Sequence, residues 1–166
     1  MHKKATALLG DGHIDRAIDV LREAHLLMRE EAFQGYAVDK WCRLPLVLQQ
    51  AGRFDEAMRE FEQLLSDLHA IRLKQLPQYP EEIVLLLTHR IRAAIYDRMR
   101  RACKREKRLD VAERYAALAE EELRRADEAD KKVEAWEEKR RAAFQKARSD
   151  RHLMDAFYKE YPQSYR

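Results

Sequence analysis

The run from Ala51 to Leu65 restricts this chain more than any other. Gly52 follows the apolar residues Leu44, Leu46, Val47 and Leu48. A glycine there can take the left-handed conformation that closes a helix without a Cβ penalty. Asp55 and Glu56 then fall in the first turn of a new helix, where carboxylates complement its exposed amides. Phe54, Ala57, Met58, Phe61, Leu64, Leu65 and Leu68 recur at intervals of three and four, the period of one buried helical face. The stretch predicts the turn and second helix of a helical hairpin, with Ala57 small where the two helices come closest.

Two echoes frame it. Upstream, Gly12 stands five residues before Ala17, with Leu21 and Ala24 continuing the face. Downstream, Lys107 stands five residues before Ala112, followed by Ala116 and Ala119. Charged residues make up 38% of the chain, Gly and Pro number only 4 each, and strand-like alternation is nowhere sustained. These features predict an all-α fold. The excess of 33 basic over 30 acidic side chains is too small to imply nucleic acid by itself, so the clustering of charge decides.

The pattern resembles the tetratricopeptide repeat (TPR), whose first helix carries Trp-x2-Leu-Gly-x2-Tyr and whose second carries Ala-x3-Phe. Here Trp41, Leu44 and Leu48 precede Ala57 and Phe61, with Pro45 at the family's small residue and Leu48 at its Tyr. Tyr96 and Met99 stand before Ala112 as Trp41 and Leu44 stand before Ala57. The copies lie 40 and 55 residues apart, against roughly 34 for the standard repeat. The resemblance implies a TPR-like α-solenoid of about three irregular antiparallel hairpins, extended by a long C-terminal helix. It further implies a non-catalytic scaffold whose first helices line a groove for a protein or peptide.

In order, helices are expected over 3–10, 14–31, 37–51 and 54–75, with a turn at Ala32–Tyr36 and a kink at Pro45. Pro77 and Pro80 interrupt the chain before a helix running to about Arg105. No Gly or Pro occurs between Leu109 and Arg148, which allows roughly 60 Å of continuous helix. Ser149 and Asp150 suit the cap of a last short helix. The expected organisation is a repeat domain over 1–125, a C-terminal extension and capping helix over 126–160, and a loose tail over 161–166.

For chemistry, the six histidines are scattered, and no His-Glu-x-x-His, phosphate loop or nucleophile elbow is present. No catalysis, cofactor or metal site is expected. His25 is expected as a packed or hydrogen-bonded core histidine, Cys42 and Cys103 as buried free thiols, and Glu120–Glu122 as a solvated face. Arg90, Arg98, Arg101, Lys104, Arg105 and Arg108 gather on one side of the helix before Arg105. By the TPR alignment, Arg101, Lys104 and Arg105 face the groove and, with Arg98 of the same basic face, become the partner-binding set, suited to an acidic peptide. Nucleic acid is the alternative partner, although no aromatics for base stacking are interleaved. The TPR subclass that clamps chaperone tails needs Lys and Asn where this chain has His2, Thr6 and Arg43, so that ligand is not expected.

Val133, Trp136 and Phe144 on the long helix either support a cap over the solenoid or form an interface with another chain, including a homo-oligomer. No apolar run nears the roughly 20 residues of a membrane span, so a soluble, cytoplasmic protein without membrane contact is expected.

Overall fold

The computed structural model describes residues 1–161, and every regular element among them is an α-helix. The helices are α1 (His2–Gly10), α2 (Ile14–Glu30), α3 (Val38–Trp41), α4 (Arg43–Gln50), α5 (Phe54–Gln75), α6 (Glu81–Arg105), α7 (Leu109–Ala147) and α8 (Arg151–Glu160). Helices α1 and α2, α4 and α5, and α6 and α7 pair as hairpins. The contacts of α2 with α4 and of α5 with α6 join one hairpin to the next.

The three hairpin turns share one backbone design. Gly12, Gly52 and Lys107 have φ of 79°, 76° and 59°. The next amides, of His13, Arg53 and Arg108, donate to Leu8, Leu48 and Cys103 carbonyls at 2.8, 2.9 and 2.9 Å. These bonds, six residues back to one, close the end of the first helix and aim the chain into the second. Lys107 reaches the left-handed region without the freedom of glycine, and its turn stores the corresponding strain.

Contacts between hairpins repeat as well. Arg53, at the second turn, lies 3.8 Å from Asp15 at the start of α2, and Arg108, at the third, lies 3.9 Å from Asp55 at the start of α5. Arg22 pairs with Glu56 at 2.9 Å, His25 faces Glu60 at 3.7 Å, and Arg29 pairs with Asp67. Partner numbers rise together, so α2 and α5 run parallel. Likewise Arg98 pairs with Asp39 while Arg105 donates to Gln49 at 3.0 Å, so α6 runs parallel to α3 and α4. One apolar cluster, with Phe33, Trp41, Phe61, Leu68, Ile95 and Met99, binds the second hairpin to the third. A second, with Ala5, Ile18, Leu21, Leu44 and Ala57, binds the first to the second. Each large side chain buried in this way contributes about 1.5–3 kcal/mol.

Two expectations need correction. The helix expected over 37–51 is two helices, α3 and α4, broken at Cys42. Pro45 has no amide for the Trp41 carbonyl four residues back and crowds it sterically, so the helix breaks before the proline instead of bending at it. His25 Nε2 donates to that freed carbonyl at 2.6 Å, and the Trp41 indole N–H donates to the Tyr36 carbonyl at 3.0 Å. Tyr161, placed in the expected loose tail, is instead buried against Phe157 and Trp136. Residues 162–166 of that expectation lie outside the described residues. Asp150 caps α8, its carboxylate accepting from the His152 and Leu153 amides at 2.8 and 3.3 Å.

Candidate binding surface

Helix α6 carries the arginine-rich sequence, but its cations do not form one free strip. Arg98 pairs with Asp39 and donates to the Ala94 carbonyl at 2.7 Å, pinning α6 to α3. Arg105 donates to Gln49, whose amide donates to Glu106 at 3.1 Å, so buried Gln49 bridges α4 and the end of α6. Arg101 stays on its own helix, 2.6 Å from Asp97, with most of its side chain in solvent. Lys104 is exposed. Of the four sequence-derived residues, Arg98 and Arg105 therefore join hairpins, and Arg101 and Lys104 reach outward.

The remaining arginines are partnered too: Arg90 with Asp130 at 2.8 Å, Arg92 with Glu122 at 3.8 Å, and Arg100 with Asp97 at 2.6 Å. Burial pushes the Asp97 carboxyl up, but Arg100 and Arg101 together outweigh it and hold the group below the usual carboxylate range.

Glu122 departs from the expected solvated face, on which Glu120 stays exposed. It is 5% exposed, with His89 Nδ1 at 2.6 Å and Arg125 at 3.5 Å. Glu122, Ala126, Ala129 and Val133 recur at four, seven and eleven residues, the spacing of the α7 face turned to α6. Helical spacing was the available signal; the charged neighbours at 120, 121 and 124 masked it. Gln49 and Asp39 had no comparable signal, because their roles depend on a helix far along the chain.

On the long helix, Val133 lies buried with Ala126, Ala129 and Leu86, inside the α6/α7 hairpin. The boundary expected at 125 thus falls within a continuous α7 that still packs on α6. Trp136 is half-buried beside Tyr161, with Arg140 5.5 Å over its ring. Phe144 meets Phe157 of α8 edge-on at 5.4 Å. Helix α8 folds back on the far end of α7 and covers much of this seam within the chain.

Both cysteines are buried free thiols; burial pushes Cys42 up to about 12 and also raises Cys103. Both are therefore poor nucleophiles at neutral pH. His25 is buried, as expected, and its Nδ1 lacks a hydrogen-bond partner. At 3.7 Å the His25 ring is beyond hydrogen-bond distance of Glu60, and it holds the Glu60 carboxyl below the usual range. Open clefts flank the helices, two of them along these elements. One of about 360 Å³ lies over Arg22, His25, Arg29 and Glu60, and one of about 510 Å³ lies along α6 and α7 over Ala93, Ala94, Ala116, Ala119 and Leu123.

Among the described residues, no group of three or more His, Cys, Asp or Glu side chains could hold a metal ion, and no helix is long and apolar enough to cross a membrane. No protein-family model matches the chain, and neither the curated proteins nor the solved structures yield a match to it.

Proposed function

We propose that this chain is a TPR-like helical-repeat scaffold that binds a protein or peptide without catalysis. One observation carries the reading: the same turn and the same Asp-to-Arg link recur from hairpin to hairpin, as a stacked array requires. An array exposes its first helices side by side, here α1, α3 with α4, and α6. The parallel run of α3, α4 and α6, stitched by Asp39–Arg98 and Gln49–Arg105, supports that arrangement.

On this surface Arg101 and Lys104 reach into solvent, and Arg105 has donor capacity beyond its bond to Gln49. Guanidinium forks and an ammonium so placed suit the carboxylates of an acidic peptide. A nucleic-acid surface is less well supported, because Arg90, Arg92, Arg98 and Arg108 already face carboxylates of the chain.

The test is affinity capture from nuclease-treated lysate with the wild type and with Arg101→Glu/Lys104→Glu/Arg105→Glu. A discrete protein lost from the variant, at unchanged helicity, supports the reading. Equal capture by both proteins removes the assigned surface. Heterogeneous nucleic acid, recovered without nuclease and lost at moderate salt, would replace a protein partner with phosphate binding.

A further inference from the structure

We propose that the free flank of the α6/α7 hairpin receives the α1/α2 hairpin of a second copy, so that copies stack head to tail. The inference rests on the array reading above and extends it to what covers the open end.

The links between turns leave one position open at each end. Asp15 faces Arg53 and Asp55 faces Arg108, whereas Asp110, third in the series, has no ion pair among the described residues. At the other end His13 occupies the place of Arg53 and Arg108, with φ of −85° against −94° and −87°. Its ring N–H can donate to a carboxylate, yet no hairpin precedes it within the described chain.

The flank itself has the shape required. On α6, Ala93, Ala94 and Asp97 lie on the side opposite Ile95, Met99 and Ala102, which pack toward the preceding hairpin. With Ala116, Ala119 and half-exposed Leu123 they form the shallow 510 Å³ cleft, a floor of small side chains that lets a helix approach closely.

The chain's own register then states which residues meet. Aligning Ala17, Ala57 and Ala112 puts Glu120 where His25 stands, and puts Arg16, Val20 and Leu27 where Glu56, Glu60 and Asp67 stand. Repeating the α2-to-α5 contact between molecules sets Glu120 of one copy beside Val20 and within one helical turn of Arg16 of the next, an opposite-charge match. It also covers Leu27, which is 47% exposed and sits on the side of α2 away from Arg22 and Arg29. A head-to-tail contact leaves a free head and a free tail on every assembly until its rotation closes a ring, so assemblies lengthen as concentration rises.

Sedimentation velocity on the purified full chain tests this. The wild type should gain mass with concentration. Leu27→Arg blocks the head, because the same register sets position 27 against Arg124 of the neighbouring copy, and Leu123→Glu blocks the tail; each alone should remain monomeric, with a wild-type circular dichroism spectrum. Their mixture should form a dimer and nothing larger, because only one intact head meets one intact tail. A wild type monomeric at every concentration overturns the proposal, as does self-association of either variant alone, which would mean like faces meeting. Should Leu123→Glu lose its fold, Asp110→Lys with His13→Asp serves instead: each alone should weaken association at least tenfold, and the mixture should lengthen again, because both the native contact and the charge-reversed one are then complementary. No partner enters this readout, so a failed capture experiment does not affect it; an incorrect hairpin stack would show instead in intramolecular turn-to-turn distances.

Discussion

Replacing His25 tests the coupling between a proline and a buried histidine that sets the shape of the second hairpin. The Trp41 carbonyl is buried, has lost its helical donor to Pro45, and receives His25 Nε2 at 2.6 Å. His25→Leu keeps similar volume but removes the donor. An orphaned buried carbonyl costs about 1–3 kcal/mol, and eliminating the unpartnered Nδ1 offsets part of it. Pro45→Ala restores an amide at the position from which a continuous helix would donate to Trp41. In that background His25→Leu should cost less, by about 1 kcal/mol or more, because the carbonyl no longer depends on the imidazole. Urea unfolding of the wild type, both single variants and the double variant, at pH 7 and with unchanged m-values, gives the cycle. Equal costs of His25→Leu in the two backgrounds would refute the idea that Pro45 creates the demand His25 meets.

Other outcomes follow from the same packing. Phe61→Ala, at a fully buried position, should lose about 3–5 kcal/mol in chemical denaturation. Lys107→Gly relieves a φ of 59° and should raise the melting temperature; the left-handed cost of about 1–2 kcal/mol exceeds the unfolded-state entropy glycine adds, of about 0.4–1 kcal/mol. Trp136→Ala should lower stability while leaving the sedimenting mass unchanged, since the indole packs on Tyr161 of its own chain. Asp97, Glu56 and Glu60 are all held below the usual carboxylate range by Arg100 with Arg101, by Arg53, and by His25 respectively. Depressed folded values mean that the unfolded chain binds protons first on acidification. Their stabilisation is therefore full above about pH 4–5 and is lost as pH falls through the folded values, which acid-titrated melting curves would show.

What the sequence revealed, and what it hid, divides along the range of the forces involved. The bounds of α5, α6 and α7 were legible because Gly52, Pro80 and the Gly- and Pro-free span after Leu109 act locally. The turn at Lys107 was legible by analogy, since Asp110 and Ala112 repeat Asp55 and Ala57. The break at Cys42 was not, because a proline alone does not specify a kink or a break; here His25, on another helix, satisfies the freed carbonyl. Phe33 escaped notice in a turn, at φ of 54° and fully buried, because burial there depends on Trp41 and His25 packing around it. The basic side chains of residues 90–108 read as a single surface because their carboxylate partners, Asp39, Asp55 and Asp130, sit far away in sequence.

The stacking of hairpins is the claim on which the binding surface and the self-association both depend. Nitroxide labels placed in pairs at Asp15, Asp55 and Asp110 test it by electron–electron dipolar spectroscopy, since all three side chains are exposed and the native thiols are buried. An array predicts that the 15–55 and 55–110 distances are similar and near one helix-to-helix spacing, about 10 Å before label length, with 15–110 close to twice that. A 15–110 distance as short as the other two would describe a closed bundle, and would contradict the stack.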